Sequence, residues 1–318
     1  MGADKHDLSY YGKCVVGGAL ACGLTHAVIT PLDLIKCRKQ TDPKIYTSLG
    51  HGIRSIRAAD GLPGLMTGWA PTLIGYSLQG MAKFGFYELF KDVFAGIVGP
   101  QNAVTYKVIG WSISSASAEV IADTFLCPFE TAKVKMQTTL PPAKIPTFAE
   151  AQAEIKAKNS TFKILPALWS RQIPYTIVKF VFFEKAVEFY YRTIWTKPKS
   201  EYSKGTQLFV TFLSGYTAGI LCAIVSHPAD TMVSKINSHP DAGTKSTGAV
   251  VSSIYKQIGF GGLWTGLGTR ILMVGTLTGL QWWIYDSFKT AVGLQTSGGQ
   301  VAHVGEKQNS TVSDIKKH

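Results

Sequence analysis

Charge is scarce in this 318-residue chain: Asp, Glu, Lys and Arg make up 16% of it, against roughly 25% in an average soluble domain. Acids are the scarcer sign, 20 Asp and Glu against 32 Lys and Arg, which leaves a formal net charge of +12. No RNA- or DNA-binding motif accompanies that charge, so nucleic acid is not expected as a partner. An anionic bilayer and an anionic substrate account for it more simply. Cysteine is sparse too. Cys14, Cys22, Cys37, Cys127 and Cys222 form no CxxC and no paired spacing, and read as small buried apolar residues. No P-loop, GxSxG turn, metal-ligand spacing or nucleophile–base constellation occurs, so the chain is not expected to be an enzyme or to hold a cofactor or metal. Residues 1–9 lack an apolar signal core, His6 breaks the myristoylation pattern, and nothing resembles an Arg- and Ser-rich transit peptide.

What the chain does contain is one signature written three times. PLDLIKCRKQ (31–40), PFETAKVKMQ (128–137) and PADTMVSKIN (228–237) each place an acid two residues after a proline, with Pro31, Pro128 and Pro228 spaced by 97 and 100 residues. An aromatic–acid pair recurs in step at Tyr87-Glu88, Phe183-Glu184 and Tyr285-Asp286, followed by Lys91 and Lys289 in the outer copies and by Val187 in the middle one. A period near one hundred means one module copied twice, not a solenoid of short repeats. The copies occupy 10–100, 101–200 and 201–293, after a tail at 1–9 and before a Gly- and Ser-containing tail at 294–318 expected to be disordered.

Residues 14–32, 61–82 and 206–229 carry no Asp, Glu, Lys or Arg, and a membrane span needs roughly 20 mostly apolar residues. The pattern predicts an all-α membrane protein of six transmembrane helices at about 8–38, 71–92, 104–136, 171–193, 206–236 and 268–290. Small residues such as Gly17, Gly18, Ala21, Gly215 and Gly219 would let these helices approach closely. Three membrane hairpins imply a pseudo-threefold bundle around an axis, the geometry of a pore or carrier.

Charges inside such spans are costly and usually face a cavity. Glu119, Asp123 and Glu130 fall within about 40° of one another on a helical wheel and form one acidic stripe. His26 and Asp123 both stand five residues before their proline, so symmetry places them at one depth. Counting back from the aromatic–acid pairs aligns Lys83 with Lys179 and Gln281, Gln79 with Tyr175 and Leu277, and Arg171 with Gly75 and Met273. Polarity therefore concentrates on the second and fourth spans. Repeated residues build the machine; unrepeated ones select its cargo. Across a threefold ring Asp33 meets Lys133 and Asp230 meets Lys36, while Glu130 faces Val233 and is expected to lack a charge partner. Glu88, Lys91, Glu184, Asp286 and Lys289 form a second ring at the other end.

The three proline segments resemble the signature of the mitochondrial carrier family over about residues 10–290. Within it, THAVITPLDL (25–34), GYSLQGMAKFGFYE (75–88), SASAEVIADTFLCPFE (115–130) and RQIPYTIVKFVFFE (171–184) are similar to the phosphate-transporting branch. The resemblance implies six helices plus short matrix helices, the mitochondrial inner membrane, both termini toward the intermembrane space, and alternating access by a monomer. It implies a matrix gate (Asp33, Lys36, Lys133, Asp230, beside Glu130) and a cytoplasmic gate (Glu88, Lys91, Glu184, Asp286, Lys289). Gln40 and Gln137 match brace positions from which Asn237 departs. Phosphate would be held by Gln79, Lys83, Arg171 and Lys179, and its proton by His26, Glu119 and Glu130. Cardiolipin is the implied lipid, near Gly68 and Gly266. Copper, through Cys14, Cys22 and Cys37, or a dicarboxylate is the alternative cargo.

Overall fold

The computed structural model describes residues 6–42, 45–46, 48–140, 143–159, 161–162, 164–237 and 247–298. The tail beyond 298 and most of the linker 237–250 lie outside these, as do the side chains of Gln40, Val233 and Asn237. The described residues form α1 (Leu8–Thr41), α2 (Leu49–Gly64), α3 (Trp69–Val98), α4 (Pro100–Thr105), α5 (Lys107–Thr138), α6 (Phe148–Ala157), α7 (Leu165–Thr193), α8 (Lys204–Asn237), α9 (Thr247–Gly262) and α10 (Leu267–Ala291). A 3₁₀ turn, Lys199–Glu201, joins α7 to α8, and no strand occurs among the described residues.

Six long helices close a ring. Contacts run from α1 to α3, α5, α7, α8, α10 and back to α1. Polarity is inverted relative to a water-soluble bundle. Leu24, Val28, Ile97, Ile113, Phe125, Phe189, Phe209, Val225 and Leu272 are exposed on the outside, while Lys83, Glu119, Asp123 and Lys179 are buried. Lipid on the outer face explains the first set. Hydropathy alone marks only Leu8–Arg38 and Lys204–Met232 as spans among the described residues; the other long helices dilute their apolar character with inward charge.

Pro31, Pro128 and Pro228 lie within α1, α5 and α8 without ending them, as neighbours that satisfy the freed carbonyl permit. The fourth span begins at Leu165 instead of near 171, because Pro166 in its first turn starts the helix and does not break it. The bundle end bearing the short helices α2, α6 and α9 is here called the hairpin end, and the opposite one the terminal end. Positive φ recurs close to the C-terminal end of each short helix, at Gly61 (φ 70°), Asn159 (φ 46°) and Gly259 (φ 63°). Asn accepts positive φ more readily than most side chains, so the middle repeat has one here without a glycine. It lacks the second one: α3 and α10 start at left-handed Gly68 and Gly266, whereas Ile164 before α7 is right-handed.

The hairpin of repeat two is secured by a capping box in which the Thr147 hydroxyl accepts from the Glu150 N–H and the Glu150 carboxylate accepts from the Thr147 N–H. The Thr147 hydrogen bonds hold the exposed Glu150 carboxyl below its ordinary range. A group so shifted adds stability above its unfolded pKa and loses it as pH falls through the folded value. Thr147→Ala should cost about 1 kcal/mol of local α6 stability, read as roughly fivefold faster amide exchange in Phe148–Ala157. In the wild-type chain the same protection should fall on acidification below the carboxylate range. Unchanged exchange in both cases would refute the cap.

Candidate functional site

A belt of polar side chains crosses the middle of the ring. Helix α5 supplies Glu119 and Asp123, neither with any exposure, one turn apart on the face toward α3. Gln79 and Lys83, also one turn apart on α3, answer them. The Gln79 Nε2 donates to Glu119 Oε1 at 3.2 Å and to Asp123 Oδ1 at 3.0 Å. Lys83 Nζ sits 2.9 Å from Glu119 Oε2, which also accepts from the Thr176 hydroxyl at 3.0 Å. Asp123 Oδ2 is buried with no hydrogen-bond partner among the described residues.

Across the axis, Lys179 of α7 is buried and meets no carboxylate among the described residues. It donates to Gln281 Oε1 at 2.5 Å. An ammonium carries three donors, so two are unused among the described residues. Gln281 Nε2 reaches the Thr25 hydroxyl at 3.3 Å. His26 lies beside it, with Nδ1 2.9 Å from the Cys22 carbonyl oxygen and its ring stacked 3.8 Å from that of Tyr76. Because Nδ1 donates to that carbonyl, the 3.4 Å approach of the Gln281 amide is a contact, not a hydrogen bond. The Nε2 of His26 is left as the free acceptor.

The two ends of the ring differ. At the terminal end Phe84, Tyr87, Phe180, Phe183, Trp282 and Tyr285 are all buried and pack ring on ring, Phe183 lying flat on Trp282 at 3.5 Å. Above this plug Lys91 joins Glu88 at 3.1 Å and Glu184 at 3.6 Å. Tyr10 and Tyr87 donate to the same two acids. At the hairpin end a polar cavity of about 720 Å³ opens, walled by Tyr76, Lys133, Arg171, His227, Asp230 and Arg270 among others. Tyr76 thus lines the cavity and contacts the belt through His26.

A polar path with one closed and one open mouth, in a threefold bundle, is a carrier's anatomy. The family model "Mitochondrial carrier protein" matches residues 7–97, 105–193 and 204–295. The chain belongs to the mitochondrial carrier family. A probable mitochondrial phosphate carrier protein of Schizosaccharomyces pombe is 53% identical over 296 residues, covering 91% of this chain and 93% of that one. The mitochondrial phosphate carrier protein of Caenorhabditis elegans is 51% identical, covering 90% and 82%. Human solute carrier family 25 member 3 is 46% identical, covering 88% and 76%. This carrier is therefore a transporter and not an enzyme.

Several expected pairings in the carrier are drawn differently. Lys133 meets Asp33 at 3.3 Å, but it also lies 3.6 Å from Glu130, so Glu130 does have a charge partner one turn along its own helix. Asp230 pairs with Arg270 of α10 and not with Lys36, which stands exposed in the cavity wall without an ion pair among the described residues. The side chain of Val233, the expected neighbour of Glu130, is outside the described residues. In the second ring Asp286 meets no lysine among the described residues; it accepts from Thr211 and Ser297, and Lys289 donates to Ser297. Of the four expected cargo contacts, Gln79, Lys83 and Lys179 share the belt. Arg171 is exposed two helical turns nearer the hairpin end, roughly 12 Å along the axis. Glu119 and His26 belong to the belt, Glu130 to the hairpin-end mouth.

Arg270 and Thr176 were not singled out from sequence. Arg270 had a signal: sixteen residues before the aromatic–acid acids stand Thr72, Leu168 and Arg270, an unrepeated cation inside an apolar helix. Thr176 had none, since a helical Thr usually bonds its own backbone. Cys14, Cys22 and Cys37 do not converge, and no group of three metal-ligating side chains occurs among the described residues.

Proposed function

We propose that this carrier moves inorganic phosphate with a proton across the mitochondrial inner membrane into the matrix, by opening its two ends in turn. The observation that carries this reading is Lys179, a buried cation that among the described residues has two unused donors and no ion-paired acid. A buried charge is costly unless paired and hydrogen-bonded, and an anion of the cavity would complete it. Phosphate offers several acceptor oxygens for charge-assisted bonds, each worth roughly 1.5–3 kcal/mol. Similarity to the probable phosphate carrier of Schizosaccharomyces pombe and the phosphate carrier of Caenorhabditis elegans supports the same cargo.

Charge counting supplies the coupling. With His26 neutral, Lys83 and Lys179 balance Glu119 and Asp123, and the belt carries no net charge. A phosphate monoanion makes it negative, and one proton on the acidic pair restores neutrality before the load crosses low-dielectric surroundings. We assign that proton to Glu119 with Asp123, with His26 and Glu130 as groups through which it is exchanged with the cavity. Return of hydroxide is thermodynamically the same event. The hairpin end is assigned to the matrix and both termini to the intermembrane space. Arg171 and Lys36 in the cavity wall draw the anion in. The helix N-termini that follow Gly68 and Gly266, the starts of α3 and α10, suit a cardiolipin phosphate through the positive end of the helix dipole, and the single ring needs no second copy.

Competition tests the cargo. Liposomes holding the purified carrier should take up labelled phosphate, and excess unlabelled phosphate should suppress uptake where equal malate, sulfate or Cu(I) does not. Suppression by malate or Cu(I) but not by phosphate would overturn the assignment.

A further inference from the structure

The terminal-end ring is one base short, and the chain supplies a substitute. Lys91 of repeat one meets Glu184 of repeat two at 3.6 Å. By the same threefold step, residue 187 should meet Asp286 of repeat three. Residue 187 is a buried valine. Asp286 is nonetheless fully satisfied. Its Oδ2 accepts from the Ser297 N–H at 2.8 Å and from the Thr211 hydroxyl at 2.7 Å, and its Oδ1 accepts from the Ser297 hydroxyl at 2.7 Å.

Residues 294–298, expected to belong to a disordered tail, are held tightly. Lys199 donates to the carbonyl oxygens of Thr296, Ser297 and Gly298 at 2.7, 3.1 and 2.8 Å, one per ammonium donor. The Thr296 hydroxyl donates to Gln207, and Lys289 reaches the Ser297 hydroxyl at 3.2 Å. Thr296 and Ser297 are 1% and 6% exposed. Gly298 rests on Val187 itself: a Cβ there would lie 2.9 Å from the valine, and its φ of +72° is one that side chains avoid.

We propose that residues 294–298 form a latch that takes the place of the absent third base, with Ser297 binding Asp286 while the terminal end is closed and leaving it when that end opens. Lys199 and Gly298 are positioning residues for the latch. A valine at 187 then has a reason: a lysine there would occupy the space over which Gly298 folds. The latch presupposes that the terminal end opens and closes, as alternating access requires, but not which cargo passes.

Native Cys14 provides the readout, since it is wholly buried beneath the terminal-end ring. In full-length carrier whose other four cysteines are replaced by Ala, a membrane-impermeant maleimide added at the terminal end reports opening, with no phosphate present. Ser297→Pro removes both donors to Asp286, and Lys199→Met removes the three carbonyl contacts. Each should speed labelling at least about tenfold, the effect of losing a single hydrogen bond to a charged group, since Ser297→Pro removes two and Lys199→Met three. Adding Val187→Lys to Ser297→Pro should return labelling toward the starting rate by rebuilding the missing pair. A structural lesion would not be rescued by a new charge. Unchanged labelling in both single variants, or no rescue by Val187→Lys in protein of unchanged melting temperature, would overturn the latch; neither result bears on cargo.

Discussion

Lys179→Met should abolish phosphate uptake while leaving the carrier as stable as the wild type, or more so. The two effects separate because Lys179 has a carboxamide and not an acid for a partner. Removing an unpaired buried charge also removes its desolvation cost, and apolar replacement of buried charge is often neutral or stabilising. The cargo loses at least one charge-assisted contact, on the order of 10–100-fold in affinity, and charge balance in the belt fails as well. Lys83→Met provides the contrast. Lys83 is 2.9 Å from the fully buried Glu119, so its loss strands a carboxylate, which costs about 3–5 kcal/mol. Thermal melting and uptake measured on both variants check the pair. A strong fall in stability for Lys179→Met, with uptake retained, would show that the lysine is structural.

Gly80→Leu should prevent the bundle from assembling. Gly18 and Gly80 face each other across α1 and α3 so closely that a Cβ added to either would run into the other's carbonyl oxygen. A side chain at 80 would also lie 2.6 Å from the Cys22 Cβ. The Gly18 carbonyl is backbone and the Cys22 Cβ is fixed to its own, so neither can rotate away and the helices must part along their length. Overpacking of this kind costs about 3 kcal/mol or more, and close small-residue contact is what holds membrane helices together. The equivalent contact in repeat three sets Gly215 against Thr278 and Gly279, with a Cβ at 215 only 3.0 Å from the Gly279 Cα. Gly12→Ala is the control, as nothing lies within 4 Å of its Cβ position. Detergent-solubilised Gly80→Leu should aggregate or melt many degrees lower, while Gly12→Ala behaves as wild type. Equal stability of the two would refute the close crossing.

The architecture could be read from the chain because it repeats: three prolines and three aromatic–acid pairs in step each mark one of the six long helices, and ring symmetry follows from their number. The belt was legible where symmetry is broken, since Lys83 and Lys179 occupy one register position whose third member is Gln281. Partner choice was not legible. Register counting says which residues share a depth, but not that Gln79 would bridge two acids on α5 or that Lys133 would serve Asp33 and Glu130 together. Such choices depend on side-chain reach across helices, which differs from one repeat to the next. Asp230 shows the same limit: register counting pairs it with Lys36, whereas Arg270 of α10 is the base that reaches it. Ser297 was hidden for another reason. Composition marks 294–318 as tail-like, and nothing local announces that five of its residues fold back onto Asp286.

The central claim is that phosphate and a proton cross together through the belt. It is tested most directly by following both in one experiment: labelled phosphate entering liposomes, and the pH reported by a dye trapped inside, under an imposed outside-acid gradient. The wild-type carrier should take up phosphate faster as the outside is acidified, with internal acidification in fixed proportion, and Glu119→Gln should lose that dependence. Phosphate uptake by wild-type carrier that ignores the gradient, or gradient-driven uptake undiminished in Glu119→Gln, would contradict the account.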